Sequence, residues 1–117
     1  MTFKFHKGQA LPAMTFCLRT SAGAVVDLSS GWTATAKYAL DANRGTSLAN
    51  ATTVTLAATD PNITISPTLT EFDSLTAADG GTVYAIHIRC TRTADGYTLD
   101  FGDPEDPPTF TLFPAVV

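Results

Sequence analysis

The sequence predicts an all-β sandwich, on three observations. Charged residues make up 15 % of the chain, below the ~25 % of an average domain, and threonine supplies much of the missing polarity. Threonine is β-branched and favours strands, where its methyl packs and its hydroxyl faces water. Apolar residues then recur at every second position in short runs, and Gly, Pro, Asn and Asp punctuate those runs at regular intervals. No segment keeps a 3.6-residue apolar period over several turns, so no long helix is expected.

The elements follow in order. Thr2 to His6 alternates with Phe3 and Phe5 on one face, and Lys7-Gly8-Gln9 breaks the run. Ala13 to Thr20 alternates again, with Met14, Phe16 and Leu18 inward. Ser21-Ala22-Gly23-Ala24 reads as a turn, Val25 to Leu28 as a short strand, and Ser29-Ser30-Gly31 as a second turn. From Trp32 to Leu40 the residues Trp32, Ala34, Ala36, Tyr38 and Leu40 share a face, opposite Thr33, Thr35 and Lys37. A polar loop over 41–50 leads to a strand carrying Val54 and Leu56. Asp60-Pro61-Asn62 is a turn before Ile63 and Ile65, and Pro67 closes that strand. Glu71 to Leu75 fits a helical turn that packs Phe72 and Leu75 at i, i+3 spacing.

Thr82 to Thr93 is the clearest strand, with Tyr84, Ile86, Ile88 and Cys90 inward and His87, Arg89 and Thr91 outward. Ala94-Asp95-Gly96 is a hairpin turn, Asp-Gly being favoured where φ must be positive. Tyr97 to Phe101 returns as its partner. An acidic, Pro-rich loop over 102–108 and a closing strand from Thr109 to Phe113 complete the chain. Eight or nine short strands so spaced make an immunoglobulin-like antiparallel β-sandwich, one domain over residues 1–117.

A formal net charge of −4 argues against nucleic acid and against an anionic membrane surface as partners. No apolar run approaches the ~20 residues of a spanning helix, and the first residues lack the apolar stretch of a secretion signal. The expected site of synthesis is a cytoplasm. Strand phase places Cys17 opposite to Met14, Phe16 and Leu18, and Cys90 with the core set of its strand, so two free thiols are expected.

No constellation of catalytic residues stands out, and an enzyme is not expected. His6 and His87 lie far apart in the chain without a ligand-spaced neighbour, and no Gly-x-Ser-x-Gly elbow or phosphate-binding glycine loop occurs. Asn50-Ala51-Thr52 and Asn62-Ile63-Thr64 have the form of glycosylation sequons. Asp100, Asp103, Glu105 and Asp106 form the one carboxylate cluster and are the cation candidate, against a solvated acidic loop as the plainer reading. No cofactor is expected. The apolar ends of the chain, Phe3, Phe5, Phe113, Pro114, Val116 and Val117, are the candidates for partner contact. They either complete a sheet within the chain or add a strand to a neighbour's sheet.

The order of several segments resembles a known family. Lys7-Gly8-Gln9-Ala10-Leu11-Pro12 leads into Met14-Thr15-Phe16-Cys17-Leu18-Arg19, followed by Gly23-Ala24-Val25-Val26-Asp27-Leu28-Ser29-Ser30-Gly31 and the strand from Trp32. Further on, Asp79-Gly80-Gly81-Thr82-Val83-Tyr84 opens a strand and Thr91-Arg92-Thr93-Ala94-Asp95-Gly96 its hairpin. From Lys7 to Phe113 this resembles the N-terminal domain of tailed-phage baseplate upper proteins and related small phage tail proteins. Gln9-Ala10 departs from the Asp-Thr of that pattern, and the loop over 102–108 is longer. The resemblance implies a structural virion protein that binds other phage structural proteins and copies of itself. A capsid decoration protein is the first alternative. A glycan-binding adsorption module is the second, and the inward phase of Trp32, the only tryptophan, counts against it.

Overall fold

A computed structural model describes residues 2–9, 11–101 and 105–115. The chain folds as an all-β sandwich of two sheets with one short helix. In order its elements are β1 (Thr2–His6), β2 (Met14–Phe16), β3 (Trp32–Leu40), β4 (Ser47–Asn50), β5 (Val54–Leu56), β6 (Ile63–Ile65), α1 (Leu69–Asp73), β7 (Thr82–Arg92), β8 (Thr98–Asp100) and β9 (Thr109–Phe113). The larger sheet runs β1-β9-β7-β3-β4, with β8 also paired to β7, and the smaller runs β2-β6-β5.

Strand phase explains the layering. Tyr84, Ile86, Ile88 and Cys90 of β7 are at most 1 % exposed, while His87 and Arg89 between them face solvent. Met14 and Phe16 of β2 and Ile63 and Ile65 of β6 supply the facing layer, each at most 1 % exposed. Phe110 of β9 ties the layers together. It stacks on Tyr84 and on Phe72 of α1 at centroid distances of 5.2 and 4.9 Å, and meets Tyr38 edge-on at 5.1 Å. Phe72 and Leu75 are both buried, as the i, i+3 spacing predicts.

One pairing differs from the antiparallel expectation. β1 lies beside β9 in parallel, in register from Thr2 with Thr109 to His6 with Phe113. Most of the domain separates these strands in sequence, which leaves ample chain for the crossover that parallel neighbours need. The strand expected over Val25 to Leu28 is reduced to a single bridge between Arg19 and Val25. Its neighbourhood is held instead by the Asn62 side chain, which is 0 % exposed. The Asn62 amide nitrogen donates to the carbonyls of Leu18 and Val26 at 2.9 and 2.8 Å, and its oxygen accepts from the Leu18 N–H at 2.7 Å. A side chain has taken the place of a ladder. The sequon at Asn62 is therefore sealed inside the folded domain.

β8 and β9 share one edge of β7. Phe101 N–H donates to the Ile88 carbonyl and Ile86 N–H to the Pro108 carbonyl, so the chain leaves that edge and rejoins it two residues on. Pro107 and Pro108, just before β9, lack an N–H and cannot donate to the ladder.

Gly81 closes the turn into β7 at φ +88°, a conformation that L side chains rarely adopt. A Cβ there meets Thr111 Cγ2 at 2.6 Å and Phe113 Cε1 at 2.9 Å. Gly81→Ala is expected to cost about 2 kcal/mol through backbone strain plus overpacking. Urea denaturation checks this, as a lowered midpoint at unchanged slope.

Candidate interaction surfaces

The predicted contact residues separate once folded. Phe5 is 3 % exposed and packs on Phe72 and Phe110 at 5.4 and 5.9 Å, so it is a core residue and not a partner residue. Phe3 is half-buried against Phe16 at 5.6 Å. Phe113 is half-buried and stacks on His6 at 5.0 Å, and Pro114 beside it is half-buried. Val116 and Val117 lie outside the described residues. Thus β1 and β9 complete the larger sheet within the chain. Among the described residues no strand pairs with the outer side of β1, which leaves a sheet edge open.

The acidic cluster is only partly described, since Asp103 lies outside the described residues. Asp100 is engaged by Arg89 in a bidentate pair, at 2.7 Å from Nε and 3.1 Å from Nη2, with His87 Nε2 at 3.7 Å. The Arg89 hydrogen bonds hold the Asp100 carboxyl below its usual range. The Glu105 carbonyl accepts from Arg44 Nη1 at 3.3 Å. Among the described residues no three His, Cys, Asp or Glu side chains come together to hold an ion. Cys90 is buried and Cys17 half-buried, and both are free thiols. Burial is the first cause that raises each of them above the ordinary thiol range.

A cluster the strand pattern did not single out sits at one end of the larger sheet. Trp32 pairs with Arg92 across β3 and β7, and the hairpin brings Tyr97 back beside them. Arg92 Cζ lies 5.9 Å from the Trp32 ring centroid and 5.1 Å from that of Tyr97. Asp95 holds the guanidinium from the side, at 3.0 Å from Nε and 2.7 Å from Nη2. The same carboxylate accepts from Tyr97 N–H at 3.1 Å, which fixes the turn. The Arg92 hydrogen bonds, and then that backbone bond, pull the Asp95 carboxyl down to about 2.

Burial declines toward this end. Ala36 is 1 % exposed, Ala34 and Trp32 are half-buried, and Tyr97 is 53 % exposed. β3 and β7 span nine and eleven residues, whereas each strand of the smaller sheet spans three, so the inward face outruns its cover. Trp32 therefore has the inward phase expected of it without being enclosed. The signal was legible in one place: residues 92 and 97 flank the Asp-Gly turn, where a hairpin sets side chains abreast.

An apolar cleft of about 290 Å³ opens elsewhere, between the end of the larger sheet and the segment after α1, lined by Leu40, Leu48, Leu75 and Tyr84 among others. Compared with known proteins, the chain matches no protein-family model and no curated sequence.

Proposed function

We propose that this chain is an immunoglobulin-like assembly domain of a tailed-phage virion, a tail or baseplate subunit that works through protein contacts. The open outer edge of β1 carries this reading. An unpaired strand edge offers a row of backbone donors and acceptors to another chain, and strand addition is a recurring way to join β domains. Phe3 and the stacked pair His6 and Phe113 flank that edge with partly exposed ring surface. The segment order from Lys7 to Phe113 that resembles baseplate upper proteins supports the same assignment.

Virions produced with and without the chain test it, by mass spectrometry of purified particles and by cryo-microscopy. The expected result is stoichiometric incorporation, with sandwich-sized density in the tail or baseplate that disappears with the chain. Density on the capsid would replace the tail assignment with the decoration reading. Particles of unchanged composition and morphology would overturn both.

A further inference from the structure

We infer that the Trp32–Arg92–Tyr97 platform is a binding site for a neutral saccharide ring. The Tyr97 ring has Arg92 against one face and is 53 % exposed, so ring surface remains open to a ligand. The apolar C–H face of a pyranose stacks on such a ring, and its equatorial hydroxyls then need polar partners in the ring's periphery. Those partners are present and already oriented. Asp95 and Arg92 are locked together by two hydrogen bonds, and the guanidinium also lies 5.9 Å from the ring of Trp32, its cross-strand neighbour. Arg92 Nε and Nη2 serve Asp95, which leaves the Nη1 donors for a hydroxyl. Asp95 Oδ1 is filled by Arg92 Nε and the Tyr97 N–H, whereas Oδ2 accepts from Arg92 Nη2 and keeps a lone pair for another.

Charge selects the class of ligand. The only charged groups of the platform, Arg92 and Asp95, neutralise each other at 2.7 Å. A polyanion finds no excess cation there, and a basic peptide no excess anion. An uncharged polyol meets an aromatic face with hydrogen-bonding groups fixed at its rim, without ordering cost on the protein side. The hairpin fixes these side chains through Arg92 N–H to the Tyr97 carbonyl at 2.7 Å and Gly96 N–H to the Arg92 carbonyl at 2.8 Å. Thr93 anchors the turn to Gly31, before β3, with N–H and hydroxyl both on the Gly31 carbonyl at 2.9 and 3.2 Å. The site is thus preorganised on paired strands.

Saturation-transfer NMR with glucose, galactose and N-acetylglucosamine and their β-linked disaccharides tests the inference on the full chain. The expected result is transfer to the C–H protons of at least one ring, with amide shifts confined to residues near 32 and 92–98. Tyr97→Ala is expected to weaken binding by roughly tenfold or more, the loss of a stacked aromatic contact. Arg92→Lys loses the planar fork and is expected to weaken binding while the melting temperature moves little. No transfer from any of these sugars, or transfer unaltered in Tyr97→Ala, overturns the inference. Loss of particle incorporation in Tyr97→Ala without sugar binding would make the platform a protein contact and also overturn it. Absence from virions together with sugar binding would leave this inference standing and remove the assembly reading.

Discussion

Asn62→Ala is expected to destabilise the domain by about 4 kcal/mol, a large part of the 5–15 kcal/mol that holds a typical domain folded. Asn62 is 0 % exposed and bridges two stretches of chain that have no extended ladder between them. The Leu18 carbonyl keeps a second donor, the Val26 N–H at 3.0 Å. The Leu18 N–H and the Val26 carbonyl are different, because Asn62 is their partner at 2.7 and 2.8 Å. Truncation strands one buried donor and one part-buried acceptor, and each orphan costs roughly 1–3 kcal/mol beyond the packing lost. Asn62→Asp keeps the shape but sets a carboxylate oxygen against two carbonyls, and it should be no better at neutral pH. Urea denaturation followed by Trp32 fluorescence measures both variants. A loss under 1 kcal/mol for Asn62→Ala would mean that water replaces the amide at little cost.

What could be read from the sequence was whatever depends on period. Tyr84, Ile86, Ile88 and Cys90 are buried because a strand shows alternate residues to alternate faces, and that rule is local. The Asp-Gly hairpin and the Phe72–Leu75 turn rest on equally local chemistry. Asn62 was not legible, since Asp-Pro-Asn is a turn signal and nothing local says that the third residue points inward across 44 residues to Leu18. The Val25–Leu28 segment lost its strand to that same long-range contact. Phe5 was misassigned because a terminal phenylalanine has the same pattern whether it meets a partner or its own core, and here Phe72 and Phe110 received it. Trp32 shows the complementary limit: phase gives the face a residue points to, but the length of the opposing sheet decides whether that face is covered. The candidate platform exists because β3 and β7 outrun a sheet of three-residue strands.

Glu71→Ala is expected to cost about 3 kcal/mol, and Glu71→Gln under about 1 kcal/mol. Glu71 is 7 % exposed and joins three parts of the fold. Its Oε2 accepts from the Thr52 hydroxyl at 2.6 Å, the Thr52 N–H at 3.3 Å and the Thr68 hydroxyl at 2.9 Å. Its Oε1 accepts from the Tyr38 hydroxyl at 3.3 Å. Thr68 in turn accepts from the Glu71 N–H at 3.2 Å, so a Thr-x-x-Glu cap on α1 also latches the β4–β5 crossover and β3. Burial, and then the Glu71 charge, push the Tyr38 phenol far above its ordinary range, which keeps it a donor to this carboxylate. Alanine leaves the Thr52 amide and the enclosed Tyr38 hydroxyl without that acceptor, whereas the two threonine hydroxyls can rotate toward other partners. Relief of the desolvation cost of this buried carboxylate offsets part of the loss, and for that reason about 3 kcal/mol is expected and not more. Glutamine can present its oxygen to Thr52 and Thr68 and its amide to the Tyr38 oxygen, with the hydroxyl proton turned away. Chemical denaturation of the two variants at one pH separates hydrogen bonding from charge: a glutamine variant as unstable as alanine would show that the carboxylate's charge holds the latch, and equal stability of all three would dissolve it.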